Sequence, residues 1–224
     1  IMFDYDKQDG TIWIYDEIAE DGYGGVSSGD VVKAIKAIGD EALTVRINSP
    51  GGSVFEGLAI YNALIDHRAP VTTSNDSLAA SIASVVFLAG NTRKAAPNSF
   101  LMIHEPFSGA MGTAAGLRKQ ADLLDQAGET LLNIYEDRTD YSRATVQNLM
   151  SLETWFNADE QIANSLATDT TRQVAIEPAP VAKTRFKNAP AALLKDLEPG
   201  SRTKHFLKLA ELENRLKYLQ SRNR

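Results

Sequence analysis

Three short stretches of the sequence contain residues that could carry out covalent chemistry. The first surrounds Ser81, in the run LAASIAS at residues 78–84. Its small neighbours leave room for a substrate, and a helix beginning there would offer positive dipole and spare N–H groups to an oxyanion. The alternative is a buried helix of small residues, in which Ser81 and Ser84 hydrogen-bond to backbone carbonyl groups.

A second stretch places His104 directly after the apolar run Phe100–Ile103, which predicts a strand. His104 would then lie at the carboxyl edge of the sheet, where the sites of α/β proteins collect. A serine nucleophile needs a base, and that base needs an acid to orient it, so Ser81 and His104 form a candidate pair. A lone histidine is more often structural, and many carboxylates could serve as the acid.

The third stretch is INSPGGS at residues 47–53, where a predicted strand runs into two glycines and then a helix. Glycine permits positive φ, and the backbone N–H groups freed at such a turn can hold an anion or an extended peptide. The alternative is a tight strand-to-helix turn without a functional role.

Alternating strands and helices must position these residues. Repeated units of this length predict an α/β fold with a largely parallel sheet and right-handed crossovers. The predicted strands are Ile12–Tyr15, Leu43–Ile47, a strand from Pro70, and Phe100–Ile103. The predicted helices are Asp30–Ile38 with Ser28 as its cap, Val54–Ile65, Ala79–Ala89, Thr113–Arg138, Arg143–Met150 and Asp159–Leu166.

The charge distribution divides the chain into an acidic body and a basic tail. Residues 1–182 hold 12 basic and 25 acidic side chains, whereas residues 183–224 hold 11 basic and 4 acidic ones. Four of the eight prolines lie between Ala175 and Gly200, which predicts a linker that packs poorly. We therefore expect a folded domain over 1–174, a linker over 175–200 and a basic helical tail over 201–224.

Composition excludes several classes of protein. The chain has no cysteine, which rules out disulfides, zinc–thiolate sites and thiol nucleophiles. The longest apolar run, residues 78–90, is shorter than the roughly 20 residues of a membrane helix. No secretion leader opens the sequence, so we expect a cytoplasmic protein without a membrane partner.

The three stretches, in this order, resemble the caseinolytic Clp protease proteolytic-subunit family. The matching motifs are INSPGG at residues 47–52, AAS ending at Ser81, and MIH ending at His104 with Pro106 two residues later. The resemblance spans residues 10–170 and implies a ClpP/crotonase-like spiral of repeated β-β-α units. It also implies a handle helix, here residues 113–138, through which heptameric rings stack into a homo-oligomer.

The resemblance assigns roles to individual residues. Ser81 would be the nucleophile and His104 the general base, and the amides of Gly52 and Ile82 would form the oxyanion hole. Aligning the family's alanine with Ala158 places Glu153 at the position of the family's aspartate, and Asp159 and Asp169 are lesser candidates for the acid. Substrate would lie extended beside Gly51 or Pro106. The mechanism requires neither metal nor cofactor.

Other features of the resemblance suggest a biological role. The segment Gly24–Asp30 and the Glu-Thr-Trp sequence at 153–155 look like the Clp-related head maturation proteases of bacteriophages and prophages. We therefore expect a serine endopeptidase that processes phage coat, portal or scaffold proteins in the bacterial cytoplasm or prohead. The alternatives are a housekeeping Clp subunit that works with an AAA+ unfoldase, and a catalytically weak ring-forming scaffold.

Two features keep further alternatives open. Crotonase-type hydratases share the spiral fold but need no serine nucleophile, so Ser81 and His104 argue against that class. The basic tail is a solvated extension, a docking arm that uses the leucine seam at 209–219, or a weak binder of nucleic acid whose affinity falls with salt.

Overall fold

The chain folds into a mixed α/β structure around one large sheet. The computed structural model describes residues 3–171, 181–182, 186–190 and 193–195. The strands are β1 (Phe3–Asp6), β2 (Thr11–Ile14), β3 (Leu43–Ser49), β4 (Val71–Ala80), β5 (Thr92–Ala95), β6 (Phe100–Ile103), β7 (Thr154–Phe156), β8 (Asp169–Thr170), β9 (Val181–Ala182) and β10 (Leu194–Lys195). The helices are α1 (Ser28–Ile38), α2 (Val54–Ile65), α3 (Ile82–Leu88), α4 (Ala114–Arg138), α5 (Arg143–Ser151) and α6 (Ala158–Ala163).

The main sheet is largely parallel, as the alternation of elements predicts. Its strands follow the order β1-β2-β3-β4-β5-β8, and β6 pairs with both β4 and β7. The ten-residue β4 is long enough to pair with β5 along its first half and with β6 along its second half. The α/β class and the long helix α4, the expected handle, are confirmed.

The helices cover the sheet because each presents apolar side chains at helical spacing. Helix α3 is buried along its whole length, and it packs against α2 and α4. The cap of helix α1 lies one residue earlier than predicted, because Ser27, not Ser28, accepts the hydrogen bond from the Asp30 amide and forms a capping box with that aspartate.

The predicted helix Ala79–Ala89 starts three residues later than its sequence indicates. Residues 78–80 are apolar and small, but they continue β4 because they pair with β6. The helix therefore begins only at Ile82. The expectation failed because local composition does not reveal a pairing with a strand twenty residues away.

The polar residues 72–77 form the interior of β4 and are mostly buried. Several of their side chains are hydrogen-bonded: Thr73 donates to the Phe87 carbonyl at 2.6 Å, and Ser74 donates to Asp76 at 2.8 Å. Asp76 also pairs with Arg46 at 2.8 Å and accepts a hydrogen bond from Tyr15. Burial, with Asp76 as a second cause, raises the pKa of Tyr15 to about 12.

The part of the predicted linker that the structure describes contains two buried apolar side chains. Phe186 and Leu193 are only 4% and 3% exposed, and they form a second apolar cluster with Leu78, Ala80 and Met102. The remaining linker residues and the whole predicted tail over 201–224, with its leucine seam, lie outside the described residues.

Within the described ranges, none of the helices combines the length and apolar character that crossing a bilayer requires.

Gly57 on α2 permits the close approach of α3. A Cβ atom at Gly57 would lie 2.1 Å from Cγ1 of the buried Ile82. We expect Gly57→Ala to lower the free energy of unfolding by about 1–3 kcal/mol through overpacking. Urea unfolding measures this.

The matched control is Gly116→Ala on α4, where the nearest atom, Oγ1 of Thr113, would be 3.5 Å away. Because alanine is the better helix former, this variant should keep its stability or gain up to about 1 kcal/mol. Equal stabilities of the two variants would show that the α2–α3 contact is not tight.

Candidate active site

Ser81 occupies the junction between β4 and α3 in a strained backbone conformation. Its φ of 57° and ψ of −132° are rarely adopted by a residue with a side chain. The Ser81 amide donates to the Met102 carbonyl at 3.0 Å, which ties this junction to β6. Strain of this kind, held by neighbouring structure, is typical of functional sites and of serine nucleophiles on sharp strand-to-helix turns.

His104 reaches Ser81 because β4 and β6 are parallel neighbours. In their register Ala80 faces Met102, so the residues that follow both strands emerge at the same edge of the sheet. The Nε2 atom of His104 lies 2.7 Å from Oγ of Ser81. In the tautomer that carries its proton on Nδ1, this imidazole can accept the hydroxyl proton.

The Gly51–Gly52 turn lies against the same junction. The pairing of β3 with β4 shifts register after Ile47, and Gly51 and Gly52 have φ values of 82° and 151°. A Cβ atom at Gly51 would lie 2.7 Å from Cβ of Ser81 and 3.1 Å from the Ile82 nitrogen. The glycine turn therefore lies next to the start of α3, where Ile82 presents one of the first amides of the helix.

Glu153 lies between α5 and β7. Glu153 and His104 line one cavity of about 850 Å³, together with Pro106. Glu153 is only 9% exposed and has a φ of 51°. Among the described residues, its carboxylate accepts from the amides of Lys187 (2.8 Å) and Asn188 (2.5 Å) and from the indole of Trp155 (3.3 Å), not from His104.

The other two carboxylates considered for the acid are not part of this cluster. Asp159 is exposed in the first turn of α6, where its charge suits the helix N-terminus. Asp169 is exposed on β8, where it pairs with Lys94 at the far edge of the sheet. Throughout the described part of the chain, His, Asp and Glu side chains nowhere form a group of three that could hold a metal ion.

A buried hydroxyl pair supports the Ser81 backbone and was not predicted as part of the site. Ser84 donates from Oγ to the Ser81 carbonyl at 2.6 Å, so the Tyr135 hydroxyl, also 2.6 Å from Ser84 Oγ, is the donor to Ser84. Burial raises the pKa of Tyr135 well above its usual value. The sequence offered a hydrogen bond from Ser84 to a backbone carbonyl as one interpretation. The Tyr135 hydroxyl, its second partner, is brought to Ser84 by the packing of α4 on α3.

The match to known proteins agrees with this geometry. The family model described as Clp protease matches residues 7–172. The chain belongs to the Clp protease family. An ATP-dependent Clp protease proteolytic subunit of Deinococcus radiodurans is 33% identical over 129 residues, which cover 57% of this chain and 63% of that protein.

Two further relatives carry similar names. Proteolytic subunit 3 of the ATP-dependent Clp protease of Streptomyces coelicolor is 35% identical over 135 residues, covering 56% of this chain and 62% of the relative. Proteolytic subunit 1 of Chlamydia abortus is 37% identical over 118 residues, covering 51% and 62%. The chain thus matches less than two thirds of the length of each of these Clp subunits.

The Ser84–Tyr135 pair predicts an unequal response to substitution in this Clp family member. Ser84→Ala removes the partner of the buried Tyr135 hydroxyl and should lower the free energy of unfolding by about 1–3 kcal/mol. Tyr135→Phe leaves the bond from Ser84 to Ser81 intact and should cost about 1 kcal/mol. Urea unfolding of both variants measures the difference. A larger cost for Tyr135→Phe would contradict the assigned direction of these bonds.

Proposed function

We propose that this protein is a serine endopeptidase that cleaves peptide bonds by acyl transfer. The observation that carries the proposal is the 2.7 Å contact between Ser81 Oγ and His104 Nε2 at a strained strand-to-helix junction. A crotonase-type hydratase needs no serine nucleophile, so the Ser81–His104 pair argues against that class. Membership of the Clp protease family supports the same conclusion.

The proposed reaction has two steps. The Ser81 oxygen attacks the peptide carbonyl while its proton passes to Nε2 of His104. The amides of Gly52 and Ile82 stabilise the oxyanion, and each such donor is typically worth about 10²–10³ in rate. As the C–N bond breaks, His104 returns the proton to the leaving amine, and it then activates the water that hydrolyses the ester.

Glu153 is the proposed acid of the triad. The proposal is supported by the cavity that Glu153 lines together with His104, since neither Asp159 nor Asp169 is among the described residues that line it. An ionised carboxylate would hold the imidazole in the tautomer that leaves Nε2 free to accept a proton. A carboxylate has about four acceptor sites, so Glu153 can accept from the Nδ1–H group of His104 while it keeps its bonds to Lys187 and Asn188.

The proposed substrate is an extended polypeptide. Gly51 lies beside Ser81 and Pro106 lies beyond His104, so a strand passing between them would bring a carbonyl group to the nucleophile.

The first test is hydrolysis of casein or a fluorogenic peptide by the full chain. Ser81→Ala should fold normally and lose hydrolysis, because the Ser81 hydroxyl is the proposed attacking oxygen. Ser108→Ala, which changes an exposed serine four residues beyond His104, is the matched control and should keep the wild-type rate. Retained turnover by purified Ser81→Ala would end the assignment.

The biological role is proposed in two versions. The sequence features at 24–30 and 153–155 suggest maturation of phage heads, with coat, portal or scaffold proteins as substrates. The names of the relatives favour the alternative, a Clp proteolytic subunit that receives unfolded protein from an AAA+ unfoldase. Degradation of a folded substrate only when unfoldase and ATP are added would favour the second version.

We also propose that the protein forms a homo-oligomer, with heptameric rings that meet through α4. That helix buries Leu131, Leu132 and Tyr135 but leaves Leu117 and Leu123 more than 40% exposed. Apolar side chains repeated along one exposed helix are typical of an interface.

Sedimentation velocity at low micromolar concentration tests the assembly. The wild-type chain should sediment as a ring or a stacked pair of rings, and Leu117→Asp with Leu123→Asp should shift it to smaller species. Lys119→Asp, which introduces a negative charge on the same helix without removing apolar surface, is the control. A wild-type monomer under these conditions would contradict the proposal.

A further inference from the structure

Residues 186–190 lie on the surface beside the candidate catalytic pair. Phe186 is 4% exposed, and its ring meets the His104 ring edge to face at 5.5 Å. The same ring meets Trp155 at 5.6 Å with a similar geometry. Aromatic pairs in this arrangement are favourable beyond the area that they bury. Phe186 is therefore held between the proposed base and a residue next to the proposed acid.

The backbone after Phe186 is held by hydrogen bonds. The amides of Lys187 and Asn188 donate to the two carboxylate oxygens of Glu153, and the Asn188 side chain donates to the Leu152 carbonyl at 2.7 Å. Hydrogen bonds to an ionised carboxylate are about twice as strong as those between neutral groups. The side chains of Lys187 and Asn188 are otherwise exposed.

These contacts are the kind that an extended peptide ligand makes. One aromatic side chain fills an apolar site, and two consecutive backbone amides meet an acceptor, while the Lys187 side chain is exposed. The bonds also engage the carboxylate that the proposed triad requires for His104. A peptide bound here therefore covers the His104 ring, and a substrate that needs the same surface competes with it.

We propose that residues 186–190 are an internal ligand of the catalytic groove, which competes with substrate for the surface formed by His104, Glu153 and Trp155. This inference rests on the proposed function, because it requires Ser81 and His104 to be the reactive pair. A tethered segment acts at an effective concentration on the order of millimolar, so even modest intrinsic affinity suppresses activity. Displacing the segment uncovers His104, Glu153 and Trp155 together.

The test compares the rate at which a fluorophosphonate labels Ser81 in full-length variants. Phe186→Ala should raise the rate on the order of tenfold, because burial of one phenylalanine side chain contributes about that factor to docking. Asn188→Pro removes an amide donor and the bond to Leu152 without changing the apolar cluster, and it should also raise the rate. Tyr5→Ala, on the edge strand β1 away from the site, is the aromatic control and should match wild type.

A peptide with the sequence of residues 184–192 supplies a second measurement. Added to the Phe186→Ala or Asn188→Pro variant, it should slow labelling again, whereas the same peptide with alanine at position 186 should not. Hydrogen exchange in the wild-type chain should show protected amides at Lys187 and Asn188, and Glu153→Ala should remove that protection.

The outcomes separate the two proposals. Equal labelling rates in wild type, Phe186→Ala and Asn188→Pro would contradict the proposal that residues 186–190 are an internal ligand. The proposed protease function would not be affected by that result. If Ser81 is not labelled in any variant while the amides of Lys187 and Asn188 are protected, the proposed protease function is wrong. The proposal of an internal ligand then fails with it.

Discussion

The parallel pairing of β4 with β6 is the interaction on which the site depends. It sets Ala80 beside Met102, so that Ser81 and His104 leave the sheet at the same edge and meet at 2.7 Å. The pairing also forces the chain to turn sharply at Ser81, where the backbone adopts a left-handed φ. A shift of one residue in this register would turn every side chain of the strand to the opposite face and separate the pair.

The residues around Ser81 leave space for that turn and hydrogen-bond to its backbone. Gly51 leaves no side chain where the β3–α2 turn meets Ser81, and Gly57 lets α3 pack closely on α2. Ser84 and Tyr135 satisfy the Ser81 carbonyl from inside the core and connect the nucleophile to helix α4. If α4 is also the surface through which subunits meet, assembly and the geometry of the nucleophile share one rigid element.

Sequence patterns predicted the parts of this structure that depend on local periodicity or on specific motifs. Helix Val54–Ile65, strand Phe100–Ile103 and the long helix α4 occur where they were expected. The start of α3 was misplaced because the pairing of residues 78–80 with β6 is not encoded locally. The position of Phe186 was missed for a related reason: its partners, His104 and Trp155, are separated from it by tens of residues, and its own neighbourhood is rich in proline. The motif around Glu153 indicated an acid but not that Lys187 and Asn188 would bind it.

Ser81 and His104 should act as one chemical unit, and mapping the site of fluorophosphonate modification by mass spectrometry tests this most directly. The modification should appear on Ser81 and on no other serine. In His104→Ala the rate should fall by about 10² or more, because a positioned general base typically contributes that much. Modification of another serine, or an unchanged rate in His104→Ala, would contradict the account.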